Sequence, residues 1–260
     1  MTLGYTTIGQ GSEYVLVFHG WTSDHTVWSP IFPALDTQTF TYVFPDYRGY
    51  GKSSHLTGSY TMKEIAADML ELIEHLGWMR FHMIGHSMGA MAMQRVLVEI
   101  NDWQRIKSAI AVTPVPASGA QLDERSWATF EASITDDNSR YTIMDFTTGK
   151  RLPKTWLDKM VQESRATTTE EAYAGYLKAW VYEDFSELVV GLNTPMLTLV
   201  GECDYAITEP SMLATYLKWY PNATLEALCN SGHYPMQEIP LSFVAAIERF
   251  MKRFMLVPTF

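Results

Sequence analysis

Short apolar runs alternate with helical patterns over the first 112 residues of the chain. Runs at residues 15–18, 42–44, 81–84 and 106–112 are short and largely apolar, which is typical of strands buried on both faces. Between them, Thr61 and Glu64 form a capping-box pattern, and Gly77 stops the apolar periodicity that follows. A second helix is predicted over about residues 90–100.

The same alternation returns near the C-terminus. Strands are predicted at residues 196–200 and 223–228, with helices over residues 211–219 and about 241–254. Strands separated by helices predict βαβ units. The fold class is therefore α/β, with a mainly parallel sheet flanked by helices.

The middle of the chain has a different pattern. Between residues 115 and 187 no strand pattern is clear, and apolar residues recur at i, i+3, i+4 and i+7 from Tyr173 to Trp180. Thr168 and Glu171 form a second capping-box pattern. We expect an α/β core of residues 1–114 and 188–260, with residues 115–187 inserted as a helical cap.

Composition narrows the class of protein. The 260 residues are 47% hydrophobic and 18% charged, which is ordinary for a globular protein. The formal net charge of −10 argues against nucleic acid and anionic membrane surfaces as partners. No signal peptide and no apolar stretch of about 18 residues is visible, so we expect a cytoplasmic protein that does not enter a membrane. Two cysteines are too few for a disulfide scaffold, and the sequence contains no clustered set of Cys and His ligands. We therefore expect no metal and no cofactor. The oligomeric state is left open.

A Gly85-x-Ser87-x-Gly89 motif lies between a predicted strand and a predicted helix. That context is the one in which this motif holds a nucleophilic serine on a sharp strand-to-helix turn. A small-residue turn that merely contains serine is the alternative. The context favours Ser87 as a catalytic nucleophile.

A serine nucleophile needs a base, and the base needs an acid that orients it. His233 follows the last predicted strand and is the predicted base. Asp204 follows the strand before it and is the predicted acid, with Glu202 as the alternative; Thr113, at the end of an earlier strand, offers no carboxylate.

Two donors are expected to bind the oxyanion of such a reaction. They are the backbone N–H of Met88, directly after the nucleophile, and that of Trp21, in the loop after the first buried run. The Trp21 side chain would then form a wall of the pocket. A phosphate-binding loop at residues 49–53 is rejected, because Asp46 occupies the position where that motif needs glycine.

These motifs together resemble the α/β-hydrolase superfamily, in particular its epoxide hydrolase/haloperoxidase-like branch. The resemblance rests on His19-Gly20, residues 46–53, residues 85–89, residues 201–204 and Gly232-His233, in that order. It implies an α/β-hydrolase fold with a helical cap and supports the triad and oxyanion roles. Epoxide hydrolases and haloalkane dehalogenases of this branch use aspartate where Ser87 stands. The resemblance therefore points to esterases, lactonases, cofactor-free haloperoxidases and carbon–carbon hydrolases.

The expected function is hydrolysis of a hydrophobic carboxylic ester or lactone through an acyl-enzyme on Ser87. A carbon–carbon hydrolase or a cofactor-free perhydrolase with the same triad is the alternative, followed by a non-enzymatic ligand receptor on this fold. The cap is rich in large apolar side chains, which favours a hydrophobic small-molecule substrate. The candidate substrate-binding residues, each of which could instead pack within the cap, are Trp127, Phe130, Met144, Trp156, Tyr176 and Trp180.

Overall fold

The computed structural model describes residues 2–255, and within them the strands form one seven-stranded sheet of order β1-β3-β2-β4-β5-β6-β7. All neighbouring pairs are parallel except β1 with β3. The α/β fold class with a mainly parallel sheet is confirmed. The strands are β1 (Tyr5–Gly9), β2 (Glu13–Phe18), β3 (Phe40–Pro45), β4 (Phe81–His86), β5 (Ile106–Val112), β6 (Met196–Gly201) and β7 (Ala223–Leu228).

Strand β1 was not expected from the pattern. It pairs antiparallel with β3, from Tyr5 opposite Pro45 to Gly9 opposite Thr41. Its sequence is YTTIG, and none of its five residues is fully buried. An edge strand of this kind lacks the continuous apolar run that identifies the central strands.

Helices flank the sheet. The helices of the described residues are α1 (Met62–Leu76), α2 (Met88–Glu99), α3 (Glu124–Ala132), α4 (Asp137–Thr147), α5 (Lys154–Thr167), α6 (Glu170–Tyr182), α7 (Ser186–Val189), α8 (Glu209–Ala214), α9 (Tyr216–Trp219), α10 (Pro235–Glu238) and α11 (Pro240–Lys252). Single-turn and longer 3₁₀ segments occupy His25–Ala34, Gly51–Ser53 and Trp103–Arg105. In residues 2–255, none of the helices combines the length and the apolar character that crossing a bilayer requires.

Helix ends follow the sequence closely, with three corrections. Thr61 caps α1 through the N–H of Glu64, but the Glu64 carboxylate accepts from the N–H groups of Ser59 and Tyr60 instead of closing the capping box. The second cap lies one residue later than expected: Thr169 accepts from the N–H of Ala172.

The third correction concerns the helix predicted over residues 211–219. Thr215 has φ −120° and ψ −88°, which lies outside the helical region and divides the segment into α8 and α9. Side-chain periodicity alone does not reveal such a break, because both halves keep apolar residues on the buried side.

Helices α3–α7 lie between β5 and β6, where the sequence predicts the insertion. They touch the core at several points. Thr168 forms an isolated β-bridge with Tyr50, and the N–H of Thr169 donates to the carbonyl of Gly49 at 2.9 Å. The domain boundaries themselves stay a prediction.

A buried charge cluster joins the beginnings of three strands, at the edge opposite to the carboxyl ends. Glu13 on β2 bonds to Nε2 of His82 on β4 at 3.3 Å and forms an ion pair with Lys107 on β5. Ser108 lies 2.7 Å from Nδ1 of the same imidazole. Burial lowers the pKa of His82, so the neutral ring donates to Glu13 and accepts from Ser108.

We predict that Glu13→Gln destabilises the protein by about 2–3 kcal/mol at pH 7. The hydrogen bond from His82, followed by Lys107, lowers the pKa of Glu13 from 4.5 to about 2. Since the folded state holds the carboxylate ionised, its contribution is complete above pH 4.5 and is lost as the pH falls towards 2. Urea unfolding of the variant and the wild type at pH 7, 4 and 3 measures this contribution to the free energy of unfolding. A difference between variant and wild type that stays constant over this range would contradict the assignment.

Candidate active site

The turn between β4 and α2 places Ser87 at the carboxyl edge of the sheet. Ser87 has φ 54° and ψ −121°, a backbone conformation that is rare for a residue with a side chain. Its N–H donates to the carbonyl of Val112 at 2.9 Å, and its carbonyl accepts from Ala90 and Val115. These bonds hold the strained residue in place. Ser87 is half-buried, whereas its neighbours in the turn are buried.

The second glycine of the motif is required by close backbone packing. A Cβ added to Gly89 would lie 2.4 Å from the carbonyl oxygen of His19, closer than any real contact. Helix α2 therefore begins in direct contact with the end of β2. That contact brings the serine turn against the loop that follows β2.

The loop after β2 passes directly beside Ser87. A Cβ built on Gly20 would lie 3.5 Å from Cβ of Ser87 and 2.8 Å from Nδ1 of His86. The next residue, Trp21, is the predicted oxyanion donor. The other predicted donor, Met88, lies in the first turn of α2, where backbone N–H groups have no partner within the helix.

Helix α6 holds the side chain of Trp21. Its Nε1–H donates to the carbonyl of Tyr173 at 2.8 Å, and the two rings stack with centroids 3.9 Å apart. Its own carbonyl accepts from the hydroxyl of Tyr50 at 2.8 Å. The guanidinium of Arg140 lies 3.8 Å from the centre of the Tyr173 ring. Helices α4 and α6 therefore help to hold the loop that carries Trp21.

Asp204 and His233 are brought together by the loops after β6 and β7. A Cβ on Gly201 would lie 2.1 Å from the carbonyl oxygen of Gly232, so only glycine permits this contact. The N–H of Cys203 also donates to the carbonyl of Ser231 at 2.7 Å. The two loops therefore pack backbone against backbone.

His233 Nδ1 lies 2.6 Å from Oδ2 of Asp204. The second carboxylate oxygen, Oδ1, accepts from the N–H groups of Ala206 and Ile207 at 2.8 and 3.1 Å. Because Asp204 is the acceptor, Nδ1 carries the proton and Nε2 keeps its lone pair. That tautomer is the one a general base requires.

Glu202 does not reach the imidazole. It is exposed, and its carboxylate accepts from the N–H of Asn230 at 3.1 Å. Of the two carboxylates that the sequence left open, the structure brings Asp204 to His233.

Two other histidines near the site are buried, and burial lowers their pKa values. His19 lies with Nδ1 2.8 Å from the carbonyl of Gly20, while the N–H of Tyr47 donates to its Nε2 at 3.3 Å. His86 lies with Nε2 2.8 Å from the carbonyl of His233. Both rings are therefore neutral donors to backbone carbonyls.

A cluster of two carboxylates and an imidazole, which the sequence pattern does not reveal, lies after β2 and β3. Asp24, His25 and Asp46 offer ligand atoms within 4.8 Å of one another. They already bond to each other and to the backbone: Nδ1 of His25 lies 2.9 Å from both oxygens of Asp46, which also accept from the N–H groups of His25 and Lys52. Burial opposes ionisation of Asp46, but its hydrogen bonds from His25 prevail and lower its pKa.

The six candidate substrate-binding residues fall into different surroundings. Phe130 and Trp180 contact the ring of Trp21, with centroids 5.7 and 5.5 Å from it. Trp156 packs edge-on against Tyr234, next to the predicted base. The remaining three have other neighbours: Met144 is fully buried, Tyr176 lies among Tyr47, Tyr50 and Tyr60, and Trp127 contacts Tyr182.

A family model for the alpha/beta hydrolase fold matches residues 13–238. The chain belongs to the α/β-hydrolase fold family. The resemblance that the motifs suggested is thereby confirmed at the level of the family, and the chain is a hydrolase of this fold.

Individual relatives of this α/β-hydrolase differ in how much of it they cover. The soluble epoxide hydrolase of Corynebacterium sp. (strain C12) is 39% identical over 85 residues, which span 33% of this chain and only 29% of that protein. A pimeloyl-(acyl-carrier protein) methyl ester esterase of Legionella pneumophila (strain Corby) is 24% identical over 97% of this chain and 100% of its own length. The structure of an esterase from Exiguobacterium antarcticum shares the fold, with a TM-score of 0.86 and 19% identity over 96% of this chain and 95% of that one.

We predict that Asp204→Asn lowers kcat of this α/β-hydrolase by about 10³- to 10⁴-fold, because the amide favours the wrong imidazole tautomer. Glu202→Gln is the matched control, since Glu202 carries the same group two residues away and, among the described residues, its carboxylate bonds to the Asn230 N–H and not to His233. It is expected to keep kcat within about twofold. Steady-state hydrolysis by the two purified variants makes the comparison. Equal losses, or a larger loss in the Glu202 variant, would contradict the geometry.

Proposed function

We propose that the chain is a serine hydrolase that cleaves a hydrophobic carboxylic ester or lactone through an acyl-enzyme on Ser87. The observation that carries the proposal is the hydrogen bond of 2.6 Å between Asp204 and Nδ1 of His233, at the edge where Ser87 stands on its strained turn. This bond leaves Nε2 of His233 free to accept a proton. A full-length relative with a methyl ester esterase name supports the ester class.

In the proposed reaction, Ser87 Oγ attacks the substrate carbonyl carbon while Nε2 of His233 takes the hydroxyl proton. The N–H groups of Trp21 and Met88 bind the oxyanion. His233 then gives its proton to the leaving alkoxide, and the alcohol departs from the acyl-enzyme. A water molecule, deprotonated by the same Nε2, attacks the acyl carbon, and Ser87 recovers its proton as the carboxylic acid leaves.

The substrate class follows from the side chains beside Trp21. Phe130 and Trp180 both pack against its ring, and Phe130 meets Trp180 edge-on at 5.2 Å. These aromatic surfaces come from α3 and α6, which we propose to act as the cap over the site. An apolar acyl or ring group fits such a wall better than a charged one.

We predict that Ser87→Ala lowers acid release from the best substrate by about 10⁴-fold or more, since the serine and its base act as one unit. A pH-stat assay with short, medium and long acyl esters and with simple and acyl-substituted lactones finds that substrate. We expect apolar acyl groups to be preferred over charged ones.

Ser54→Ala is the matched control for the nucleophile, because Ser54 is exposed and follows the 3₁₀ turn after β3. It is expected to keep wild-type turnover. Turnover that survives Ser87→Ala would refute the acyl-enzyme mechanism. A wild-type enzyme that cleaves a vinylogous diketone and no ester would assign carbon–carbon hydrolysis instead.

A further inference from the structure

The main chain of His233 is held by three separate elements. Its carbonyl oxygen accepts two hydrogen bonds, from Nε2–H of His86 at 2.8 Å and from the hydroxyl of Thr113 at 2.9 Å. Its N–H donates to the carbonyl of Thr147, the last residue of α4, at 3.1 Å. Both polar backbone groups of His233 are therefore bonded from outside its own loop.

Thr113 is an unusual residue in its own right. It directly follows β5, it is fully buried, and its φ is 40°. A β-branched residue in this region is strained, and such strain persists only where the surroundings enforce it. The N–H of Thr113 donates to the carbonyl of Leu199 on β6 at 2.7 Å, which fixes the residue with its hydroxyl towards His233.

His86 approaches the same carbonyl from the serine turn. Its ring is buried, and its centroid lies 5.0 Å from that of His233. Gly20, in the predicted oxyanion loop, passes against its other nitrogen. The residue next to the nucleophile therefore contacts the loops of both the base and the oxyanion donor.

We propose that Thr113 and His86 are positioning residues that set the place of His233 relative to Ser87, by jointly binding its backbone carbonyl. This inference rests on the proposed function, in which His233 is the base. The Asp204 bond orients the imidazole ring, whereas these two donors fix the backbone from which the ring projects. A loop held at both its N–H and its carbonyl keeps Nε2 at one distance from the serine, which is the condition for efficient proton transfer.

The test compares Thr113→Val, which keeps the branched shape and removes the hydroxyl, with Thr113→Ser, which keeps the hydroxyl. We expect Thr113→Val to lower kcat about tenfold, equivalent to roughly 1.4 kcal/mol for one lost hydrogen bond, with KM within twofold. Thr113→Ser is expected to recover kcat to within about threefold of wild type. Unchanged kcat in Thr113→Val, or equal losses in both variants, would overturn the proposal.

A second readout does not depend on turnover. The proton between Nδ1 of His233 and Asp204 gives a low-field ¹H NMR signal, which we expect to shift or broaden in Thr113→Val and to match wild type in Thr113→Ser. Identical signals in all three proteins would refute the positioning role even if no substrate is found. A wild type that lacks Ser87-dependent turnover but shows the expected signals would instead refute the proposed function alone.

A matched pair at His86 covers the case in which Thr113→Val does not fold. His86→Gln retains an N–H donor near the position of Nε2, and His86→Met removes it at similar volume. We expect kcat of His86→Met to be at least fivefold lower than kcat of His86→Gln, while the two variants unfold at similar temperatures. Equal kcat values in the two variants would overturn the proposal.

Discussion

Direct backbone-to-backbone contact at two glycines is the constraint on which this site depends. At Gly89 the start of α2 meets the end of β2, and at Gly201 the end of β6 meets the loop after β7. A methyl group at either position would lie closer than 2.5 Å to a carbonyl oxygen. The first contact joins the serine turn to the loop of Trp21, the proposed oxyanion donor, and the second joins Asp204, the proposed acid, to His233, the proposed base. A parallel sheet supplies the common edge, but these contacts bring the loops within reach of one another.

Burial then sets the charges around the site. His19 and His86 lose access to water and remain neutral, so each donates one hydrogen bond to a backbone carbonyl. Asp204 is buried as well, but its carboxylate accepts from His233 and from two backbone N–H groups. Both of its oxygens therefore accept hydrogen bonds, which offsets the cost of removing the group from water. In the proposed mechanism, Asp204 stabilises the imidazole of His233 when that ring takes up a proton.

Sequence alone predicts the parts of this structure that short-range rules govern. The central strands, the cap of α1 at Thr61 and the turn around Ser87 follow from local periodicity and from residues with special backbone needs. Edge strand β1 was not predicted, because its partly exposed residues form no continuous apolar run. The break at Thr215 and the cap at Thr169 depend on backbone angles that periodicity does not encode.

The neighbours of each side chain were harder to predict, because they are set by contacts between distant segments. Thr113 entered the sequence analysis only as a position without a carboxylate, yet its hydroxyl bonds to His233, 120 residues away. Large apolar residues occur throughout the insertion, and the sequence does not distinguish those that contact Trp21 from the others. Asp24 and Asp46 are separated by a strand and meet around His25. Spacing along the chain carries no information about such meetings.

The proposed mechanism requires Ser87 to be a nucleophile activated by His233. Intact-protein mass spectrometry after treatment with a fluorophosphonate tests it most directly, because that reagent forms a stable bond to an activated serine and needs no knowledge of the substrate. We expect a single adduct, mapped to the peptide that contains Ser87, and labelling that is at least about 100-fold slower in His233→Ala. An unlabelled protein, or an adduct on another residue, would contradict it.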